Sequence, residues 1–164
     1  MEEKFTYIRP YVTRALREGE ADKIAVTESD IRRMESAGEL LAVNFLYGVH
    51  YGTPRDPIDR ALGNGRFPIL DWPVESVGIM RRHYGARTFS IYLEPPGADE
   101  LKSRLVQRDG TDARATKAIE EYQRLLGGAF DSVIDLRIKS ATGSVEVIAK
   151  EIISAVTGLS EIQV

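Results

Sequence analysis

Arg14 and Arg17 stand three residues apart in the run TRALREGE, flanked by Thr13 and Gly19. Two guanidinium forks converging from one loop suit a phosphate, because each planar fork offers parallel N–H groups to two oxygens. Taken alone, such a pair is more often a solvated charged loop. Tyr47 and Tyr51 lie beside the glycines of YGVHYG, where their hydroxyls would serve the same anion or their rings simply pack. Asp71 closes the apolar run FPILD, directly before Trp72 and Pro73. A carboxylate there either caps a turn or faces a cleft, where it would accept from an amine or assist a metal. Arg104 and Arg108 are four apart, so on a helix they share a face that leads into the QRDGTD turn, a candidate lid. A merely solvated helix face has the same spacing.

Other chemistries lack their residues. The chain has no cysteine, which excludes disulfides, thiolate metal sites and cysteine nucleophiles. His50 and His83 are its two histidines, too few for a multi-histidine metal centre, and His50 has no neighbour to complete a catalytic pair. No metal ligand set is expected. The nucleophile signature G-x-S-x-G does not occur. Nor does G-x-x-x-x-G-K-[ST], the loop whose amides cradle donor phosphates while its Lys and hydroxyl serve the phosphates and Mg²⁺.

The elements that must position these residues follow from pattern. Residues 5–8 read as a strand, followed by a polar, arginine-bearing run taken as irregular, and 24–26 as another strand. Thr27 with Asp30 gives a capping-box-like start to a helix over 28–36, which Gly38 stops. A strand over 40–46 leads into a glycine-flanked extended piece, and Thr53 or Asp56 caps a helix running to about Leu62. Residues 67–71, 88–93 and 132–136 are short apolar runs of the kind that form strands buried on both faces. Helices over 74–84, 99–108, 113–126 and 144–156 alternate with them, the middle pair meeting around Gly110. That alternation predicts an α/β sheet covered on both faces, with functional residues beyond the carboxyl ends of its strands.

With 164 residues, 43% hydrophobic and 29% charged, the chain is sized for one globular domain, 1–164. A net charge of −3 gives no pull on nucleic acid. No apolar run approaches the ~18 residues of a membrane span. The opening MEEKF is acidic where a secretory signal is basic and then apolar, so the expected location is cytoplasmic, with no membrane partner.

In order, YVTRALREGE, VTESDIRRMESAGELL, YGVHYGTPRDPIDRALGNG, FPILD and FSIYLEPPGADELKSRLVQR resemble the guanylate kinase family from Phe5 to about Val156. The resemblance implies a three-layer, parallel-sheet nucleoside monophosphate kinase core with a helical lid, over about 67–164. A small mixed acceptor-binding subdomain would occupy about 9–66. It implies transfer of a phosphoryl group from ATP, with Mg²⁺, to GMP. On it, Arg14, Arg17 and Tyr51 match the groups that hold the acceptor's phosphate. Thr53 matches a contact to guanine, Asp71 the aspartate near the base amine, and Arg104 and Arg108 the catalytic lid-side arginines. The chain also departs from the pattern. Ala42 stands where a guanine-reading glutamate is usual, Pro10 where a serine is, and Lys23 where a phosphate-binding tyrosine is. Pro73 replaces a second acidic residue, and Asp135 stands where the late strand usually ends in asparagine.

The family's opening strand and phosphate loop would precede Phe5, so the resemblance implies an acceptor half without a donor half, inactive alone. Two other readings share these residues. One is a protein- or phosphopeptide-binding module like the guanylate-kinase-like domains of scaffold proteins. The other is the acceptor preference of the similar ribose 1,5-bisphosphate kinases, which read no base. Without the phosphate-loop strand the neighbouring strand edges are open, which implies a homodimer or a rearranged core.

Overall fold

The computed structural model describes residues 4–109, 112–140 and 145–162, with the backbone alone for 108–109, 112–113 and 159–162. The chain divides into two compact units, Met1–Trp72 and Pro73–Val164.

In the first unit β1 (Phe5–Tyr7) pairs in parallel with β6 (Phe67–Ile69), and the rings of Phe5 and Phe67 stack across the pair at 5.3 Å. Beside this pair in sequence lies a four-stranded mixed sheet. Its order is β3 (Ile24–Ala25), β2 (Tyr11–Val12), β5 (Val49–Pro54) and β4 (Leu40–Leu46). Helix α1 (Glu28–Ser36) begins at the expected box: the Asp30 N–H donates to Thr27 Oγ1 at 3.1 Å and the Thr27 N–H to Asp30 Oδ2 at 3.0 Å. Such a cap contributes about 1 kcal/mol. α1 buries Ile31 and Met34 in a cluster with Leu40, against which Tyr11, Val26 and Val43 pack. Gly52 is what lets the helix come so close, since a Cβ there would stand 2.8 Å from Ile31 Cδ1. Helix α2 (Arg55–Gly63) follows β5 directly and buries Ile58 and Ala61.

The second unit opens with a single 3₁₀ turn, Val74–Ser76, running into α3 (Val77–Tyr84). β7 (Ile91–Glu94) pairs in parallel with β8 (Leu136–Lys139), and α4 (Ala98–Asp109), α5 (Asp112–Leu126) and α6 (Val145–Ile162) complete it. Its core gathers Val74, Tyr122, Leu125 and Phe130, with Tyr92, Leu101, Val133 and Ile134 packed around them. A polar latch starts the β7–β8 ladder. Asp135 takes the Ser90 N–H at 2.7 Å and an Arg81 N–H at 2.8 Å.

The α/β class with parallel strand pairs and six helices agrees with the sequence reading. Several local expectations do not. The last strand lies at Leu136–Lys139, not 132–136, where the chain turns. Val133 and Ile134 are apolar because they pack on the core cluster, and Asp135 opens the strand it was expected to end. The strand expected from Thr88 begins at Ile91. The run 67–71 is not buried on both faces: Ile69 is exposed, and β1 is its one strand neighbour among the described residues. Neither Thr53 nor Asp56 caps α2, because Thr53 belongs to β5 and Pro54 takes the cap position without a side-chain bond. The run taken as irregular contains β2. The Gly110 turn and residue 144 lie outside the described residues. Among those described, no helix is long and apolar enough to cross a membrane.

Candidate functional site

Strand β5 sets the first part of the site. Side chains alternate along a strand, so with Gly52 turned to α1, Tyr51 and Thr53 occupy the opposite sheet face. Across β4 their partners are Asn44 and Ala42, and across β2 Tyr51 faces Val12. A register shift between Leu40 and Ala42 makes Leu41 the extra residue, which puts Ala42 on the Tyr51–Thr53 face. Thr53 is only 4% exposed. Tyr47, the other candidate hydroxyl, sits instead at the tip of the β4–β5 hairpin with φ of 53°.

The loop after β2 supplies the cation. It is anchored by the Thr13 N–H to His50 carbonyl bond (3.1 Å) and by the His50 N–H to Thr13 Oγ1 bond (2.9 Å). His50 otherwise packs its ring on Phe45 at 4.7 Å, with Nδ1 buried and unpartnered among the described residues, a structural role. Arg14 closes the loop on Glu20. Its Nη1 donates to Glu20 Oε2 at 2.7 Å and its Nη2 to Oε1 at 2.6 Å, while Nη1 also donates to the Ala15 carbonyl at 2.8 Å. The same carboxylate accepts the Arg17 N–H at 3.0 Å, and the Glu20 N–H returns to the Arg17 carbonyl at 3.1 Å. Gly19, at φ 73°, permits that return. The Arg14 fork and the Arg17 amide hold the Glu20 carboxyl down at about 2. Reciprocally, Glu20 raises the Arg14 guanidinium above its ordinary value against the opposing effect of burial, and the Tyr51 phenol adds a smaller push in the same direction as Glu20.

Asp71 lies just past the carboxyl ends of the parallel pair β1–β6. Its Oδ1 accepts the Tyr7 hydroxyl at 2.8 Å, and Lys23 Nζ stands 3.5 Å from its Oδ2 and 2.6 Å from Asp22. Burial, then the hydrogen bond to Asp71, pushes the Tyr7 phenol well up. Burial alone would lower Lys23, but Asp22, Asp71 and Glu20 together raise it.

The structure therefore brings Arg14 and Tyr51 together, adds Arg17 through its backbone amide, and links Asp71 to Lys23. Thr53 is on the Tyr51 face. Arg104 lies in the second unit on α4, exposed and paired with Glu100 through Nε at 2.7 Å. Arg108 is on the same helix, and its side chain lies outside the described residues. Among the described residues no group of three His, Asp or Glu could hold a metal ion. Sequence reasoning passed over Glu20 and Tyr7. For Glu20 the available signal was a carboxylate one residue past a glycine and six from Arg14, the spacing of a closed loop.

Comparison with known proteins gives a consistent result. The family model described as guanylate kinase matches residues 1–151. The guanylate kinase of Syntrophus aciditrophicus is 32% identical over 129 residues, covering 76% of this chain and 62% of that protein. That of Gluconobacter oxydans is 32% identical over 124 residues, covering 74% and 57%. The chain thus spans about three fifths of these relatives' length. A crystal structure of guanylate kinase from Anaplasma phagocytophilum superposes with a TM-score of 0.75 at 21% identity, over 96% of this chain and 77% of that one. At that identity the likeness concerns the fold.

Proposed function

The chain belongs to the guanylate kinase family, and from that premise we propose that its Met1–Trp72 unit is the acceptor half of a phosphoryl-transfer enzyme. The acceptor is a GMP-like nucleoside monophosphate. Arg14, Arg17 and Tyr51 grip its phosphate, and Thr53 and Asp71 face its base. The whole protein uses ATP with Mg²⁺ as donor, and Arg104 and Arg108 serve the transferring phosphate. The observation that carries this reading is the Arg14 fork fixed by Glu20 in the loop that runs on to Lys23, which stands 3.5 Å from the Asp71 carboxylate. A dianion bound by charged N–H groups gains both strength and orientation.

The 164 residues themselves contain no G-x-x-x-x-G-K-[ST] string, and their described carboxylates and histidines form no metal cluster. Such residues do not fit the phosphates of MgATP. The 164-residue polypeptide alone binds acceptor and does not turn over. Calorimetric titration tests this. GMP should bind, the double variant Arg14→Ala, Arg17→Ala should abolish binding, and MgATP should give no heat. Silence with GMP, or turnover in the ordinary kinase range of roughly 1–100 per second, overturns the reading.

A second reading has its own observation. Ala42, directly across from Thr53, offers neither donor nor acceptor where a base edge would be read. An unread base means weak discrimination, since hydrogen-bonding sites are what reject the wrong group strongly. A sugar phosphate is then accepted about as well as GMP. A phosphopeptide module is distinguished by binding that phosphopeptides, and neither small ligand, can elicit.

A further inference from the structure

Arg14 has five N–H donors, and the loop accounts for three of them. Nη1 spends both hydrogens, on Glu20 Oε2 and the Ala15 carbonyl, and Nη2 spends one on Glu20 Oε1. The loop leaves the Nε–H and the second Nη2–H, which lie together on one side edge of the planar fork. The Tyr51 phenol interacts with the same guanidinium. A ligand phosphate therefore has two routes to Arg14: evict Glu20 from the end of the fork, or bind the side edge with Glu20 in place.

Eviction is the costlier route. The Glu20 side chain is only 10% exposed, and it would lose two bonds to Arg14 and one from the Arg17 amide together. Giving up three charge-assisted hydrogen bonds at once is unfavourable for a carboxylate. The side edge is itself bidentate and asks only that the neutral Tyr51 phenol turn its hydroxyl to the phosphate. The geometry points to Glu20 as a positioning residue: it occupies the end of the Arg14 fork and holds the side edge, beside Tyr51, in place for the phosphate of an acceptor. This rests on the acceptor reading above, and it makes Glu20 neither a competitor for the phosphate nor a mere loop brace.

The test uses the full chain with Glu20→Gln and Glu20→Asp, titrated with GMP and with guanosine. Glutamine can accept from one Nη but presents an N–H₂ to the other, so the fork is released. GMP affinity should fall roughly tenfold or more, guanosine affinity should stay unchanged, and Glu20→Asp should recover part of the loss. A loop brace alone would weaken both ligands alike, and a competitor would make GMP bind more tightly in Glu20→Gln. Either result overturns the inference.

A ligand-free measurement separates this from failure of the acceptor reading. In the wild type, ¹⁵N-resolved spectra should show separate, slowly exchanging Arg14 Nη protons that collapse into an averaged signal in Glu20→Gln. Averaged signals in the wild type overturn the clamp. Separate signals together with silence towards GMP uphold the clamp and remove the acceptor reading.

Discussion

Two carboxyl groups respond to pH in opposite senses. The Glu20 carboxyl sits at about 2 in the folded loop against an ordinary 4.5, so between those values the unfolded chain binds more protons. Its contribution is complete above the upper value and is lost as pH falls toward the lower one. The stability difference between wild type and Glu20→Gln should be flat above about pH 5 and shrink steadily below it, as followed by thermal melts. Glu121 is the reverse case. Burial, then the nearby Glu75 carboxylate, raises its carboxyl, so ionisation weighs against folding. Glu121→Gln should melt higher than wild type near neutral pH, with the gain gone below about pH 4, where both forms are neutral. Arg14 was singled out by residue type and spacing, which suit a phosphate and a solvated charged loop alike. Glu20 was not, because a glutamate in a charged run shows nothing of its partner until the loop closes.

Between residues and molecule, the β4–β5 hairpin joins site to scaffold. Its two-residue turn holds Tyr47 at φ 53° and Gly48 at φ 78°, both in the left-handed region that a tight hairpin of this kind requires. Glycine adopts that region freely, whereas a bulky side chain there costs about 1–2 kcal/mol. Tyr47→Asn should therefore stabilise the chain by up to ~1 kcal/mol in denaturant unfolding. Gly52 answers to packing instead. With a Cβ 2.8 Å from Ile31 Cδ1 and 3.1 Å from Leu40 Cδ1, Gly52→Ala should cost about 1–3 kcal/mol. It should also weaken GMP binding, since Tyr51 and Thr53 flank it on the opposite face. Helix α1 was readable to the residue because its box and its apolar pair Ile31 and Met34 agree. The strand β8 was misplaced because Val133 and Ile134 are apolar for core packing, not for strand pairing. Alternation without a neighbour in view does not tell those two apart.

For the whole chain, five collinear segments carried the family, while the placement of strand partners was carried by none of them. Among the described residues β1–β6 and β7–β8 each stand as a pair of strands. A strand edge that no other strand pairs invites another chain wherever nothing else covers it. The apolar side chains on these strands are not all covered: Ile69 of β6 is 43% exposed and Leu93 of β7 is 51% exposed. We therefore expect self-association of the 164-residue polypeptide by strand-edge pairing. Sedimentation at tens of micromolar should give an average mass above the monomer that rises with concentration. Because a lysine on an edge strand opposes pairing, Leu93→Lys should shift the population toward monomer without loss of GMP binding, Leu93 lying in the other unit from Arg14, Tyr51 and Asp71. A wild-type chain that stays monomeric throughout that range removes the edge-pairing reading. The proposed acceptor site would stand unaffected, since Arg14, Arg17 and Tyr51 all belong to one unit of one chain.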